Sequence, residues 1–97
     1  FCLNDLASVG VVAALDAAGM TDQVEVYGVD GSPDAKALIS EGMMEATAAQ
    51  FPTEIGRRAA DAIYELLAGR VPERDILILV ELITRENVEE FGVDRWQ

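Results

Sequence analysis

The sequence contains no histidine, only one cysteine and no long apolar run. Without histidine the chain lacks the usual general base and the most common metal ligand. Cys2 has neither a second cysteine for a disulfide nor a histidine to activate it, so we expect a buried structural thiol. The longest apolar run, Ile76–Val80, is far shorter than the roughly 20 residues of a membrane-spanning helix and fits a buried strand instead.

Basic residues are scarce as well. Seven Lys and Arg side chains against 18 Asp and Glu give a net charge of −11. This field repels phosphate, so we expect no nucleic-acid partner. The chain also lacks a glycine-rich phosphate loop and the Gly-x-Ser-x-Gly turn that presents a nucleophilic serine. We therefore predict no catalytic residue, no metal and no cofactor.

Strand and helix patterns alternate four times along the chain. Apolar and β-branched runs predict strands that end near residue 3 and that span 24–29, 44–50 and 76–83. Helices are expected at 6–18, 33–42 and 52–67, with a short one after Thr84 and a loosely held tail at 94–97. The alternation predicts an α/β fold in which βαβ units form a mainly parallel sheet with helices on both faces.

Local signals mark where these helices begin and end. Asn4 and Asp5 are N-cap candidates for the first helix, and Gly19 is expected to end it in the left-handed conformation. Ser32 should cap the second helix, with Pro33 at its first position. The third helix is amphipathic, and its apolar stripe needs a covering surface, through self-association of the chain or packing onto residues 1–49. The stripe consists of Ile55, Ala59, Ala62, Ile63, Leu66 and Leu67.

Polar side chains follow three of the predicted strands. Asn4 follows the first, Asp30 the second and Gln50 the third. Ligands of open α/β sheets bind beyond the carboxyl ends of the strands. A carboxylate and two amides supply the acceptors and donors that the hydroxyl groups of a sugar require. These three residues are therefore the predicted ligand-binding set.

Structural roles remain open for two of the three. Asn4, like Asp5, could serve only as a helix cap, and Asp30 could form an Asx-turn before Gly31. Gln50 has no such alternative, because Thr53 is available as the cap of the next helix.

Taken together, several motifs resemble the C-terminal portion of ribose-type periplasmic sugar-binding proteins. They are Phe1–Asp5, Gly10 through Gly19, Val26–Pro33, Ile39–Gly42, Ala46–Gln50, Gly56, Leu67–Gly69 and Val80–Val88. The resemblance covers nearly the whole chain. It departs from the family in having Val29 where phenylalanine often precedes the aspartate, and in its acidic C-terminal extension.

The resemblance implies one part of a two-lobed receptor that binds a monosaccharide between its lobes and delivers it to the membrane subunits of an ABC transporter. Residues 1–49 would belong to the C-terminal lobe. Residues 50–83 would hold the hinge crossings and pack on the N-terminal lobe, and 84–97 would form a C-terminal helix and tail. Asn4, Asp30 and Gln50 match positions that contact sugar hydroxyls in the family. Such receptors are extracytoplasmic, either periplasmic or lipid-anchored at the cell surface.

The chain starts at Phe1 without an initiator methionine or a signal segment. We accordingly expect a fragment or a processed product, with the N-terminal lobe and the targeting information outside it. One alternative is the effector-binding domain of a transcription regulator of the lactose-repressor type, which shares the fold. Another is a small α/β enzyme with Asp30 as a base, which the lack of histidine, of a cofactor loop and of a partner nucleophile disfavours.

Overall fold

A computed structural model describes all residues from 1 to 97 and confirms the α/β fold. Helices alternate with the strands of one small sheet, and no helix combines the length and the apolar character needed to cross a membrane. The elements in chain order are α1 (Asp5–Ala17), β1 (Tyr27–Asp30), α2 (Pro33–Ser40), β2 (Ala46–Ala49), α3 (Pro52–Leu67), β3 (Glu81–Thr84) and α4 (Val88–Phe91).

The sheet has three strands in the order β1-β2-β3. β1 and β2 are parallel, with Tyr27 opposite Ala46 and Asp30 opposite Ala49, so β1, α2 and β2 form the expected βαβ unit. β3 pairs with the other side of β2 in the antiparallel direction, which places Glu81 opposite Ala49. The carboxyl ends of β1 and β2 therefore lie at the same edge of the sheet, beside the start of β3.

The predicted signals at both ends of α1 and at the start of α2 are confirmed, whereas Thr53 lies inside α3 and does not cap it, since the N-cap position is Phe51. The Asn4 side chain accepts a hydrogen bond from the backbone N–H of Ala7 at 2.9 Å, and Gly19 follows α1 with a φ of +67°. The Ser32 hydroxyl accepts from the backbone N–H of Ala35 at 3.2 Å, with Pro33 at the first position of α2.

The core lies where α1, α2 and α4 meet the sheet. Cys2 is half-buried against this core, and its backbone N–H donates to the Tyr27 carbonyl at 2.8 Å. Phe1 and Leu3, on either side of it, are exposed, so the prediction of a buried strand end at residues 1–3 is wrong. The chain makes one bond to the edge of β1 and then turns into α1. The buried core side chains are Val12, Val26, Ala35, Ile39, Met44, Ala49, Ile83 and Val88.

The predicted fourth strand is much shorter than residues 76–83. Only Glu81–Thr84 is a strand, and Leu77 and Leu79 are more than four-fifths exposed. The prediction of a buried strand at Ile76–Val80 is wrong because β2 is four residues long and its register with β3 ends at the Ala49–Glu81 pair. Residues before Glu81 extend past the end of β2 and have no neighbouring strand to pair with.

Residues 52–80, which we call the arm, lie apart from the core. No residue of α3 is buried, and its stripe faces outward, with Leu67 79% exposed. Shallow grooves between α3 and residues 72–79 show that these two segments run side by side. The radius of gyration is 16.9 Å, whereas a compact domain of this length has one of about 12.5 Å. The arm therefore adds length without adding to the core.

The exposed stripe of α3 leads to a prediction about the isolated chain. Because apolar surface is driven out of water, light scattering should show a mass that rises with concentration. Ile63→Glu should shift the chain towards monomer, since it places a charge in the stripe. Thr53→Glu, which adds the same charge at an exposed position outside the stripe, should not. A monomer at every concentration would contradict this prediction.

Gly28 allows α1 to approach β1 closely. A Cβ atom there would lie 2.6 Å from the Ser8 hydroxyl and 2.7 Å from the terminal methyl of Met44, with the Asp5 carboxylate nearer still. A real Cβ does not tolerate such distances, so a side chain at position 28 would push the helix off the strand.

We therefore expect Gly28→Ala to lower the free energy of unfolding by about 1–3 kcal/mol in urea titrations. Gly10→Ala is the matched control. A Cβ at Gly10 meets nothing within 4 Å, and alanine is the better helix former, so this variant should be neutral or slightly more stable. Equal stability of the two variants would show that the contact at Gly28 is unimportant.

Candidate functional site

The structure brings Asp30 and Gln50 into direct contact. Asp30 is the last residue of β1, and Gln50 directly follows β2. The Gln50 Nε2 donates to Asp30 Oδ1 at 2.8 Å, and the Gln50 backbone N–H donates to the Asp30 carbonyl at 3.1 Å. The second carboxylate oxygen of Asp30 and the amide oxygen of Gln50 have no protein partner within hydrogen-bond distance. The pair thus presents a negative acceptor and a neutral acceptor beyond the strand ends.

Asp30 has an unusual backbone conformation. Its φ is 130°, and it is the only residue other than glycine with a positive φ. Gly31 follows with a φ of +76°. Such a conformation costs on the order of 1–3 kcal/mol and persists only where the surroundings enforce it. Strain of this kind is concentrated at binding and catalytic sites, which supports a functional role for Asp30.

Asn4 makes no hydrogen bond to this pair, but its neighbour Asp5 accepts from the N–H of Ser32, two residues after Asp30. The Asn4 Oδ1 caps α1, as the structural alternative proposed, whereas its Nδ2 donates to no protein group. The side chain is half-buried at the start of α1, next to Asp5. Asn4 can therefore cap the helix with one atom and still offer an N–H group to a ligand.

Asp5 is a structural centre of the site that sequence reasoning assigned only to helix capping. It is 1% exposed, and its two carboxylate oxygens accept from the Thr47 hydroxyl and the Ser32 backbone N–H, both at 2.7 Å. The Thr47 hydroxyl oxygen accepts in turn from the Gly31 N–H at 3.2 Å. One carboxylate thus connects the start of α1, the turn after Asp30 and the middle of β2.

Lys36 and Gln97 were also missed by sequence reasoning. Lys36 is fully buried, and its Nζ donates to the Arg95 carbonyl and to Gln97 Oε1. Burial lowers the pKa of Lys36, and the Arg95 guanidinium lowers it further. Gln97 Nε2 donates to the carbonyls of Asp30 and Gln50. The tail, expected to be loose, is therefore attached to the site.

Only one of the missed residues had a usable signal in the sequence. Lys36 lies between Ala35 and Ala37, on the same face of α2 as the buried Ile39. A lysine on this apolar face is a sign that its ammonium group has a specific partner. The role of Gln97 depends on the path of the tail after α4, which no local pattern specifies.

The largest surface concavity lies elsewhere. Its volume is about 590 Å³, and it is lined by residues 21–26 and 42–45, which precede β1 and β2. It is therefore at the opposite edge of the sheet from Asp30 and Gln50. Its lining includes the carboxylates of Asp22, Glu25 and Glu45. These do not form a metal site, and nowhere in the structure do three or more potential metal ligands lie together in an arrangement that could hold an ion. We place the candidate site at the strand ends because polar side chains and backbone strain meet there.

The role of Asp5 can be tested by Asp5→Asn, which keeps the size of the side chain but replaces an acceptor oxygen by a donor. Loss of a charge-assisted bond inside the body should lower the free energy of unfolding by about 2 kcal/mol. Asp16→Asn, at an exposed position of the same helix, should change it by less than about 0.5 kcal/mol. The proposed role fails if the two variants unfold at the same urea concentration.

Comparison with known proteins places the chain in a family. Residues 1–70 match the periplasmic binding protein domain. The chain is 36% identical over 89 residues to a putative rhizopine-binding protein of Rhizobium meliloti. The aligned region covers 91% of this chain and 29% of that protein. It is 31% identical over 86 residues to the ribose import binding protein of Escherichia coli, covering 89% of this chain and 29% of that protein.

A solved structure agrees with this assignment. An ABC transporter solute-binding protein from Bacillus halodurans, with bound myo-inositol, superimposes with a TM-score of 0.83 at 35% identity. The match covers 91% of this chain and 30% of that one. The chain thus spans about three tenths of the length of these relatives, which are binding proteins and not enzymes, as the sequence predicted. The chain belongs to the periplasmic binding protein family, and its resemblance to the ribose-type sugar-binding members is confirmed.

Proposed function

We propose that this chain supplies one wall of the ligand cleft in the solute-binding component of a sugar ABC transporter. The observation that carries the proposal is the direct contact of Asp30 with Gln50 at the carboxyl edge of two parallel strands, with Asp30 held in a strained conformation. Asn4, at the same edge, completes the set. The relatives named above, which include a ribose import protein and a structure with bound myo-inositol, support a small polyhydroxylated ligand.

The chemistry of the three side chains suits hydroxyl groups. The free oxygen of Asp30 would accept a proton from one or two hydroxyls, the Gln50 oxygen would accept another, and the Asn4 N–H would donate to a hydroxyl oxygen. A hydrogen bond to a charged group contributes about 1.5–3 kcal/mol. An uncharged sugar satisfies this set, whereas an anionic ligand would be repelled by Asp30.

The exposed arm supports a two-lobed arrangement. Residues 1–49 would form part of the C-terminal lobe, and the outward faces of α3 and residues 76–80 would be covered by the N-terminal lobe. Residues 50–83 would contain the crossings between lobes, and 84–97 the C-terminal helix and tail. A sugar bound at the rim would then recruit the second lobe, and ligand would favour closure through the contacts made only in the closed form.

This function implies a partner and a cellular location for the protein. The closed form would be recognised by the membrane subunits of the transporter, and the receptor would work outside the cytoplasm, in the periplasm or anchored at the cell surface. Import and binding proteins among its relatives favour transport over a regulator of the lactose-repressor type.

The proposal is tested by measuring ligand affinity of the full-length protein in isothermal titrations with D-ribose, D-allose and myo-inositol. Asp30→Asn should weaken binding of the preferred ligand about 10- to 100-fold, because it removes a charge-assisted acceptor, and Gln50→Ala should weaken it about tenfold. Asp34→Asn, which removes an exposed charge in the first turn of α2, is the control and should retain affinity. If the wild type binds none of these ligands, or binds one with the same affinity after Asp30→Asn, the proposal is wrong.

A further inference from the structure

Gln97 lies behind the two contacting side chains of the site. Its Nε2 donates to the Asp30 carbonyl at 2.9 Å and to the Gln50 carbonyl at 2.5 Å. A primary amide has two N–H groups, so a single side chain satisfies both carbonyls. These carbonyls belong to the last residue of β1 and the first residue after β2. Gln97 therefore connects the two strands at the point where their pairing ends.

Lys36 determines which way the Gln97 amide faces. Its Nζ donates to Gln97 Oε1 at 3.3 Å, and a lysine ammonium can only donate. If the amide were rotated by half a turn, its NH₂ group would face the ammonium and its oxygen would face two carbonyls. Both contacts would then be repulsive. Lys36 is fully buried and also bonded to the Arg95 carbonyl, so it forms a fixed reference for the amide.

Gly31 provides the space that the amide occupies. A Cβ at this position would lie 2.6 Å from Gln97 Nε2 and 2.7 Å from the Ala49 Cβ. The amide thus packs directly against the turn in which Asp30 and Gly31 both have positive φ. The Asp30 carbonyl accepts from the Gln50 N–H and from Gln97, and these two bonds act on the strained residue itself.

We propose that Gln97 is a positioning residue of the ligand site. Its amide, oriented by Lys36, holds the strained Asp30 backbone next to Gln50 and so directs their two side chains towards the ligand. This inference rests on the proposed role of Asp30 and Gln50 in binding. The C-terminal tail would thus help to shape the ligand site. Gln97 would act indirectly, because both of its donated bonds go to backbone carbonyls and not to a ligand.

Gln97→Glu separates positioning from simple attachment of the tail. A glutamate keeps the oxygen that Lys36 binds and adds a charge that strengthens this contact. It loses both N–H donors and brings an anion to the two carbonyls. If Gln97 only attaches the tail, the variant should bind ligand as the wild type does. If Gln97 positions the site, stability should be retained while affinity falls.

The experiment measures the thermal midpoint and the affinity of the full-length protein, with D-ribose, D-allose and myo-inositol as probes. We expect Gln97→Glu to weaken binding about tenfold with a midpoint close to that of the wild type. Arg85→Gln changes the net charge by the same one unit at an exposed side chain near the opposite edge of the sheet, and it should retain affinity. Affinity of Gln97→Glu within twofold of the wild type, while Asp30→Asn weakens binding at least about tenfold, would overturn the inference and leave the proposed function intact.

A second measurement needs no ligand. The backbone N–H of Gln50 donates to the Asp30 carbonyl, so its hydrogen exchange reports on the position of Asp30. Gln97→Glu should speed exchange of the Gln50 amide at least tenfold and leave the Ala35 amide, which is bonded to Ser32, unchanged. Unchanged exchange at Gln50 would overturn the positioning role whether or not the protein binds any of these sugars.

Discussion

A buried carboxylate holds together the part of the molecule on which the site is built. Asp5 stands at the start of α1, yet both of its oxygens bond outside that helix, one to the N–H at the cap of α2 and the other to a hydroxyl on β2. A charge removed from water is tolerated only when its acceptors are satisfied. The Asp5 carboxylate is therefore stable only when the start of α1, the turn after β1 and β2 are held in their observed positions. Gly28, which has no side chain, lets α1 approach β1 closely enough for this arrangement.

This constraint explains how a strained residue persists at the strand end. The N–H groups of Gly31 and Ser32, which follow Asp30, are bonded to Thr47 and Asp5, and the Asp30 carbonyl is bonded to Gln50 and Gln97. The peptide groups that follow Asp30 are thus held in place by bonds to the sheet, to α1 and to the tail. These hydrogen bonds offset the free-energy cost of the strained Asp30 conformation. Under the proposed function, the direction of the Asp30 carboxylate would be set before a ligand arrives, which would reduce the entropy lost on binding.

Features that depend on a few neighbouring residues were predictable from the sequence. The caps at Asn4 and Ser32, the end of α1 at Gly19 and the contact region of Asp30 with Gln50 all follow from local patterns and from the rule that parallel strands end at one edge. Features that depend on partners distant in sequence were not. The run from Ile76 to Val80 has strand composition but no neighbour to pair with, because β2 is too short. The bonds of Asp5 to Thr47 and of Gln97 to Asp30 join residues 42 and 67 positions apart, and no periodicity encodes them.

The attachment of the arm places the candidate site beside both of its connections. The chain leaves the sheet at Gln50 after β2 and re-enters it at Glu81, and Ala49 and Glu81 are paired neighbours. Two adjacent connections are the geometry of a hinge, about which the arm could rotate as one piece. Gln50 belongs to that region through its backbone and to the candidate site through its side chain, which bonds Asp30. A ligand that orders this side chain therefore also acts on the residue at which the arm begins. Under the proposed function, ligand binding and the orientation of the arm would be coupled by position, without any longer path through the core.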